Sequence, residues 1–409
     1  MGIREERTQK GKDFVEVMRR KLFLVILALL GMVIVTTAPV FTYGRDEQLT
    51  CSHDWSTWHI TTKPSCTETG EREKNCIYCG IIKSEIVPAE GHNWGRWIID
   101  QKATYFKPGK QHHICAKCSE REDKVIPKKE TPAGFTKAGA NLFAAVTVNN
   151  TYIYDYIDTE SEKLKKLKFG SRIVLRYTSD KWVQVGNDKY RGYIPKNQVV
   201  IYNKKKKHVA LTYDDGPNAE TTPVVLKALM KNNCRATFFV LGNSIGKETG
   251  KLLKAGTSLG CEYGNHSWDH AQLTTLSEEA IASELSKTDE LVKEYTGRIA
   301  PLCRAPYGAF NDTVLAIMNR PNIFWSKDSL DWKYRDTTNL IAYIKKKVKN
   351  GDIVLMHDIH PSTVNATDKI CQYLLKKNFE LVTVTELAAI NGTPLKNSGT
   401  YYGFSGEWE

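Results

Sequence analysis

The sequence predicts a multidomain chain whose largest part is an α/β domain of seven β/α units, preceded by a small antiparallel β-barrel, two short cysteine-rich repeats and an N-terminal transmembrane helix. Three observations predict this organisation. Apolar β-rich runs alternate with helical patterns from residue 208 onward, a Cys-x-x-Cys pattern recurs after 39 residues, and a nearly charge-free run of 20 residues lies near the start. The length of 409 residues, with 41% hydrophobic and 25% charged residues, is typical of several folded domains.

Residues 22–41 form the nearly charge-free run, which is long enough to cross a bilayer as a helix. The tail at 1–21 holds seven Lys and Arg residues against four acids, so the positive-inside rule predicts that this tail is cytoplasmic. We therefore expect a single-pass protein of the cell membrane whose remaining domains are extracellular. The alternative is a cleaved signal peptide and a secreted protein, although Thr36-Thr37-Ala38-Pro39 is a poor small-residue cleavage site.

An internal repeat occupies residues 51–127. The pattern His-x-Trp-x-x-Trp begins at His53 and again at His92, and the Cys-x-x-Cys pattern recurs with the same shift of 39 residues. Such short units bury little apolar surface, so bound metal or disulfides usually stabilise them. We expect structural zinc rather than a disulfide, because two residues between cysteines suit a metal knuckle. The expected ligands are Cys76, Cys79, Cys115 and Cys118.

Other cysteines and histidines near the two knuckles offer further ligands: Cys51, His53, Cys66, His92, His112 and His113. The second copy has Glu90 and Tyr105 where the first has Cys51 and Cys66, so its site is expected to be incomplete or differently built. A disulfide remains the alternative, since export permits one.

Residues 128–140 contain Pro, Gly and Lys without an apolar period and are predicted to be a linker. Short alternating runs follow at 141–203, as expected for a small antiparallel barrel. The spacing of Leu164-Lys-Lys-Leu-Lys-Phe-Gly170, Lys181-Trp-Val-Gln-Val185 and Arg191-Gly-Tyr-Ile-Pro195 resembles the bacterial Src-homology-three-like (SH3-like) domain. That resemblance implies a wall-binding module. A β-barrel spacer is the alternative.

Much of the net charge of +12 lies in one stretch, because residues 160–208 contain 14 Lys and Arg residues and four acids. A basic surface attracts polyanions. Outside a cell these are wall polymers or lipid head groups. Nucleic acid is the competing partner, and the predicted export segment argues against it.

The α/β domain is predicted to span 208–390, followed by a C-terminal tail at 391–409. Its seven β-rich runs are 208–213, 234–240, 260–265, 299–304, 321–326, 352–357 and 380–384. The clearest helix is predicted over 277–296, where Ile281, Leu285, Val292 and Tyr295 share one face and Thr275 with Glu278 forms a capping box. Four cysteines beside these runs are predicted to be buried thiols: Cys234, Cys261, Cys303 and Cys371.

Five polar clusters punctuate this domain, and four of them begin at or just after a predicted strand. Reactive residues lie at the carboxyl ends of strands in a parallel barrel. The clusters are Thr212-Tyr-Asp-Asp-Gly-Pro217, His266-Ser-Trp-Asp-His270, Arg304-Ala-Pro-Tyr-Gly308, Asp328-Ser-Leu-Asp-Trp332 and Leu355-Met-His-Asp358.

The clusters and their order resemble the five motifs of the polysaccharide deacetylase family, carbohydrate esterase family four, with Tyr213 in place of the commoner Phe. The resemblance implies a distorted barrel of seven β/α units, a divalent metal and the removal of N-acetyl groups from an aminosugar polymer. It also implies that Asp215, His266 and His270 bind the metal, which we expect to be Zn²⁺ or another divalent transition ion such as Co²⁺. The His-x-x-x-His pair is predicted to lie on one helical turn.

The resemblance assigns the remaining roles. Asp214 is the base, held ionised by Arg304, and His357 is the proton donor, kept protonated by Asp331. The backbone N–H of Tyr307 is expected to contact the oxyanion. Trp332 and Leu355 correspond to the pocket for the acetyl methyl, although both are also compatible with ordinary core positions.

The expected function is therefore hydrolysis of acetamide groups of N-acetylglucosamine in wall peptidoglycan by a monomer. The same motifs also serve deacetylases of exported polysaccharide, chitin oligomers and acetylated xylan. An inactive wall-binding protein is the alternative of another class.

Overall fold

The computed structural model describes residues 51–187 and 189–404. The predicted cytoplasmic tail and the predicted membrane segment at 22–41 lie outside the described residues. Within the described part, none of the helices has the length and apolar character needed to cross a membrane. The chain divides into two compact units. Of the described residues, the first unit contains 51–95 and 114–120, and the second contains 96–113, 121–187 and 189–404.

Each repeat forms a three-stranded antiparallel sheet in chain order. The strands are β1 (His59–Thr62), β2 (Gly70–Asn75) and β3 (Ile82–Val87) in the first repeat, and β4 (Ile98–Gln101), β5 (Gly109–Ile114) and β6 (Arg121–Ile126) in the second. Gly70 and Gly109 take equivalent places, because a Cβ at either would overlap the backbone of the preceding strand. Gly80 and Ser119 are also equivalent, and both have positive φ, at 74° and 61°.

Eight antiparallel strands form the next sheet, in the order β10-β9-β13-β12-β11-β8-β14, with β7 paired to β11. They are β7 (Thr136–Lys137), β8 (Leu142–Val146), β9 (Thr151–Tyr154), β10 (Lys163–Leu167), β11 (Arg172–Thr178), β12 (Trp182–Gly186), β13 (Arg191–Pro195) and β14 (Val199–Asn203). Ile153, Val183, Val185 and Ile194 are fully buried in its interior. The predicted linker is not only a connector, since its residues Thr136–Lys137 pair with Tyr177 and Thr178.

The last domain alternates strands and helices. Its strands are β15 (Lys207–Asp214), β16 (Thr237–Val240), β17 (Glu262–Asn265), β18 (Asn322–Ile323), β19 (Lys327–Asp328), β20 (Ile353–His357), β21 (Phe379–Leu381) and β22 (Thr400–Tyr401). Its helices are α1 (Thr222–Lys231), α2 (Lys247–Ser258), α3 (Glu278–Thr296), α4 (Asp312–Met318), α5 (Asp331–Tyr334), α6 (Thr337–Lys347), α7 (Pro361–Lys376) and α8 (Val384–Asn391).

The strands of this domain form a parallel sheet in the order β17-β16-β15-β20-β19, and β21 pairs with the first half of β15. The prediction of a full strand at 299–304 is wrong. Only Cys303 pairs there, in single bridges to Asn265 and to Asn322. Pro301 has no N–H to donate to a neighbouring strand. The barrel is therefore distorted at this point.

The helix predicted over 277–296 is α3, and Ile281, Leu285 and Val292 are buried along it. The predicted capping residue is wrong. Ser277 rather than Thr275 is the N-cap, and its side chain accepts a hydrogen bond from the Ala280 N–H. Thr275 lies instead in the short 3₁₀ turn that precedes the helix. The sequence offered two hydroxyl side chains two residues apart, and only the backbone path decides between them.

The eight-stranded sheet and the α/β domain share one apolar core. Ala145, Val200 and Tyr202 from the sheet pack in the same buried cluster as α8 side chains such as Leu387. The predicted C-terminal tail also joins the domain, because β22 pairs in parallel with β18. Both segments therefore contribute to the fold of the domain that carries the polar clusters.

Candidate active site

Two neighbouring parallel strands end at the centre of the site. The register of β15 and β20 places Asp214 opposite His357 and Thr212 opposite Leu355. Asp215 follows directly after β15, in the left-handed region with φ 71°. The turn at Asp215 changes the direction of the chain. The adjacent carboxylates therefore have different partners, Arg304 for Asp214 and the two histidines for Asp215.

Asp215, His266 and His270 lie together as a set of three ligands. Asp215 Oδ1 is 3.5 Å from the Nε2 atoms of both histidines. Two ligands of a tetrahedral zinc ion lie about 3.4 Å apart when each bond is about 2.1 Å. Asp215 Oδ1 is also buried and has no hydrogen-bond partner among the described residues. The three residues thus fit a divalent metal, with room for a further ligand.

Electrostatics favour the protonation states that a metal needs. Burial raises the pKa of Asp215, but the interactions with His266, His357 and His270 together outweigh burial and lower this pKa to about 2. Burial and the charge of His266 lower the pKa of His270. An ionised carboxylate and a neutral imidazole are the forms that bind a metal ion.

The two histidines are brought together by a loop, so the prediction of a helical turn is wrong. Residues 266–270 follow β17 without helical structure. Ser267 and His270 have φ values of 71° and 67°. The Ser267 hydroxyl accepts from the His270 N–H at 3.0 Å. His266 Nδ1 lies 2.7 Å from the Arg304 carbonyl, a contact that orients Nε2 toward Asp215.

Left-handed backbone is concentrated around the site. Besides Asp215 and the histidine loop, Tyr307 has φ 62° and Leu330 has φ 56°. Such conformations cost about 1–3 kcal/mol each in residues other than glycine, and they persist where the surrounding structure over-determines them. Their grouping here is typical of a functional centre.

Arg304 holds Asp214 inside the barrel. Arg304 Nη1 donates to Asp214 Oδ1 at 2.6 Å, and the two side chains are 1% and 4% exposed. The same guanidinium donates to Thr212 Oγ1 and to the carbonyls of Ile323 and Phe324 at 2.8–2.9 Å. A buried arginine is stable only when its donors are satisfied in this way. Its bonds to the carbonyls of Ile323 and Phe324 also connect the run at 299–304, in which only Cys303 pairs, to the next strand of the domain.

Replacing Arg304 with methionine is expected to lower the stability of the catalytic domain by about 3–5 kcal/mol, because the Asp214 carboxylate would be buried without a partner. Differential scanning calorimetry of the full chain measures the effect as a lower midpoint. The matched control is Arg298→Met, since Arg298 is exposed. Equal midpoints for the two variants would contradict the buried ion pair.

Asp331 positions His357 on the other side of the site. Its two oxygens accept from His357 Nδ1 and from the His357 backbone N–H, both at 2.8 Å. Thr363 donates to the same carboxylate at 2.6 Å. Burial alone lowers the pKa of His357, but the hydrogen bond and charge of Asp331 outweigh burial and raise this pKa to about 9. A pKa of about 9 favours the protonated form of His357 near neutral pH, and among the described residues its Nε2 is not engaged in a hydrogen bond.

The predicted metal ligands, Asp214, His357, Tyr307, Trp332 and Leu355 line one cavity of about 480 Å³, whereas Arg304 and Asp331 lie behind its wall and hold Asp214 and His357. Leu355 is buried at its wall, whereas Trp332 is 46% exposed at its edge. Tyr307 is 68% exposed, and its ring packs edge-on against His270 at 4.4 Å between centroids. Trp325 and Asp328 also line the cavity, and no site role was predicted for either residue. An aromatic residue inside an apolar run carried no signal that distinguished it from a core residue.

Asp358 is the last residue of the fifth cluster, and no role was predicted for it. Its carboxyl is fully buried, and Thr222 donates to one of its oxygens. Burial raises its pKa to about 7. A Cβ on Gly216 would overlap this carboxyl, so the glycine after Asp215 allows the two chain segments to touch.

Eight of the ligands predicted in the repeats form two separate groups, whereas His112 and His113 belong to neither group and lie against Asp100 and Glu122. Cys76 and Cys79 lie with Cys51 and His53. Cys115 and Cys118 lie with Cys66 and His92. The four cysteines of the α/β domain are buried free thiols, as predicted.

Comparison with known proteins identifies the family. Residues 201–323 match the model for polysaccharide deacetylases. A peptidoglycan-N-acetylglucosamine deacetylase from Bacillus cereus is 32% identical over 190 residues, which cover 44% of this chain and 88% of the relative.

Two longer relatives match as well. Peptidoglycan-N-acetylglucosamine deacetylase PgdA from Listeria monocytogenes is 36% identical over 236 residues, which cover 57% of this chain and 50% of the relative. Peptidoglycan-N-acetylmuramic acid deacetylase PdaC from Bacillus subtilis is 34% identical over 197 residues, which cover 48% of this chain and 42% of the relative. The chain thus spans about half the length of these two relatives. Together with the geometry of the site, the matches show that the chain belongs to the polysaccharide deacetylase family.

Proposed function

We propose that the protein hydrolyses the acetamide groups of N-acetylglucosamine in cell-wall peptidoglycan, releasing acetate and leaving free amines. One observation carries the proposal. A single cavity contains a three-residue metal set, a buried carboxylate held by arginine and a charged imidazole held by a second carboxylate. Hydrolysis of an amide near neutral pH needs a base for water, stabilisation of the oxyanion and a proton for the leaving nitrogen.

Asp215, His266 and His270 would hold the divalent ion, and their mixed oxygen and nitrogen donors suit Zn²⁺, with Co²⁺ as an alternative. When bound, such an ion supplies Lewis acidity, which lowers the pKa of water and polarises a carbonyl oxygen. Asp214, the last residue of β15, is the base in this scheme. It takes the proton of the attacking water, and Arg304 keeps it ionised and fixed in place.

His357 gives its proton to the departing amine. Its Nδ1 is engaged by Asp331, so Nε2 is the atom that delivers the proton. The backbone N–H of Tyr307, in its left-handed turn, donates to the oxyanion. Leu355 and Trp332 border the space for the acetyl methyl, and we expect bulkier acyl groups to be rejected there.

The Asp331→Asn variant is expected to shift the alkaline limb of the pH–rate profile to lower pH by about one pH unit or more. His357 acts only in its protonated form, so activity falls as pH rises through its pKa. Asp331 raises that pKa, and its removal brings the loss of the proton to lower pH. Acetate release is measured across pH with the same metal loaded into both proteins, which isolates the contribution of Asp331. If the alkaline limb of the pH–rate profile stays at the same pH in Asp331→Asn, His357 is not the general acid.

Peptidoglycan is favoured as the substrate by two observations. The Listeria and Bacillus relatives named above are peptidoglycan deacetylases, and the stretch at 160–208 is strongly basic. Deacetylation of an exported polysaccharide, chitin oligomers or acetylated xylan is the second candidate. An inactive wall-binding protein is disfavoured, because each catalytic group has its positioning partner.

The substrate is tested with the full chain loaded with zinc and given separately intact peptidoglycan, N-acetylglucosamine oligomers and acetylated xylan. We expect acetate from the aminosugar substrates. Mass spectrometry of digested peptidoglycan should locate the free amine on glucosamine rather than on muramic acid. No release from any aminosugar would overturn the proposal, and a free amine only on muramic acid would change the substrate.

We also propose how the protein is held at the cell surface. The segment at 22–41 is proposed to anchor a monomer in the cell membrane, with the catalytic domain facing the wall. The barrel at 141–203 is proposed to be an SH3-like wall-binding module, supported by its seven antiparallel strands, β8 to β14, and its positive charge. Cell fractionation, followed by sedimentation of the purified chain with insoluble peptidoglycan, tests both statements.

A further inference from the structure

The cysteine repeats contain two groups of four ligand atoms. Cys51, His53, Cys76 and Cys79 form the first group, and Cys66, His92, Cys115 and Cys118 form the second. Within each group the ligand atoms lie within 4.8 Å of one another. Both groups belong to the first compact unit. Each offers three thiols and one imidazole, a ligand set that is common in structural zinc sites.

The spacing of the ligand atoms matches a tetrahedral ion. The Sγ atoms of Cys51 and Cys76 are 3.6 Å apart, and those of Cys66 and Cys115 are 3.8 Å apart. In both groups the histidine Nδ1 lies 3.3 Å from the last cysteine Sγ. Zn–S bonds of about 2.3 Å place two thiolates about 3.8 Å apart and a thiolate about 3.5 Å from an imidazole nitrogen.

Disulfides account for these groups less well. A disulfide requires an S–S distance of about 2.05 Å, and the six cysteines of the two groups are free. Three thiols in a group also cannot all pair with each other. One disulfide per group would leave a thiol and an imidazole side by side without a function.

The surroundings of the second group favour a bound cation. The Lys117 N–H points to Cys115 Sγ at 3.4 Å, as in a metal knuckle. His92 Nε2 lies 3.3 Å from Glu120, so its other nitrogen is directed toward the sulfurs. Cys115 is 1% exposed, and its equivalent Cys76 is also 1% exposed.

Cys66 belongs to the first repeat by sequence but lies in the group of the second repeat. In the first group, Cys51 supplies the thiol that Cys66 supplies in the second. Tyr105 stands 39 residues after Cys66, at the equivalent place of the second repeat. Its hydroxyl donates instead to Tyr193 Oη at 2.6 Å. The second repeat has Tyr105 at the place of Cys66, but neither group lacks a ligand for this reason.

We propose that the repeats bind two zinc ions in closed sites of three thiolates and one imidazole, and that Cys66 completes the second site from the first repeat. The sites are structural, because four protein ligands leave no position for a substrate. They are separate from the deacetylase site and independent of the proposed activity.

The metal content of the purified full chain tests the number of sites. In a buffer with fixed free zinc, we expect about three zinc ions per chain, two from the repeats and one from the Asp215 site. His53→Ala should remove one ion. His59→Ala is the matched control, since His59 lies in the same repeat outside both groups, and it should remove none. Two results together would overturn the proposal. The wild-type chain would contain one zinc ion or fewer, and its cysteines in the repeats would fail to react with a thiol reagent under denaturing, non-reducing conditions, as expected for disulfides.

Double variants test the position of Cys66. Cys66→Ser and Cys118→Ser each remove one ion, and together they should still remove only one, because both residues belong to the same site. Cys66→Ser combined with Cys79→Ser should remove two ions. The reverse pattern would place Cys66 in the first site and refute the crossing between repeats.

Cobalt substitution separates these sites from the catalytic one. Thiolate ligands give Co²⁺ an intense charge-transfer absorption that carboxylate and imidazole ligands do not give. We expect this absorption in the wild type, about half of it in Cys118→Ser and an unchanged signal in Asp215→Ala. A wild-type chain without this absorption would contradict the thiolate sites, whatever the outcome of the acetate assay.

Discussion

Asp215→Ala is expected to lose the metal ion of the catalytic site and at least about a thousandfold of the acetate-releasing activity, which corresponds to about 4 kcal/mol of transition-state stabilisation. The carboxylate is the anionic member of the ligand set, and its Oδ1 lies 3.5 Å from both histidine nitrogens. Without it, two neutral imidazoles remain, which hold a divalent cation weakly. Metal content and acetate release of the full chain are measured on the same samples.

The matched control is Asp269→Asn. Asp269 lies between the two histidines in sequence but outside the ligand set. Its Oδ1 accepts from the Ala271 N–H at 3.1 Å, a bond that asparagine also permits. We expect this variant to keep the ion and the activity. If Asp215→Ala keeps the wild-type metal content, the ligand assignment is wrong.

His357→Ala is expected to keep the catalytic metal ion and to lose turnover by a factor of about 10²–10⁴, the usual contribution of a positioned general acid. His357 is no member of the ligand set, and its partners are Asp331 and, through Asp331, Thr363. The separation of metal content from turnover distinguishes a proton donor from a ligand.

A change of leaving group makes this prediction sharper. The aryloxide of an activated aryl acetate is a stable anion that leaves without receiving a proton. Hydrolysis of this ester should therefore fall much less in His357→Ala than the release of acetate from chitin oligomers. Asp215→Ala provides the contrast, since it should lose both reactions. Equal losses on the two substrates in His357→Ala would indicate a structural role for the histidine.

The site was predictable because its residues lie at the ends of parallel strands. Apolar runs locate such strands, and polar residues directly after them must lie at one edge of the sheet. Asp214 and His357 illustrate this, since their strands pair in register. The pairing of Asp214 with Arg304 and of His357 with Asp331 was implied by the family resemblance, and both contacts are present in the structure.

The path of the backbone between these points was not predictable in the same way. The spacing of His266 and His270 is the same in a helical turn and in the observed loop, and only the left-handed residues distinguish the two. Likewise, the run at 299–304 has the composition of a strand, but only Cys303 pairs. Local propensity is a weak guide where side chains such as Arg304 make the contacts between segments.

The position of Cys66 shows a different limit. A shift of 39 residues correctly aligns the two repeats, and it assigns Cys66 to the first. Which repeat contributes a ligand to which group depends on contacts between repeats, and sequence periodicity contains no information about these contacts. The second group was expected to be incomplete or differently built, and the structure shows the latter, with four potential ligands of which Cys66 comes from the first repeat.

The core shared between the barrel and α8 has a practical consequence for truncation. A fragment cut at residues 208 and 390 would uncover the side chains that pack against Ala145, Val200 and Tyr202, and it would lack the strand at Thr400–Tyr401. Uncovered apolar surface of this kind promotes aggregation in expression hosts. Soluble catalytic fragments should therefore start before residue 141 and extend to residue 404.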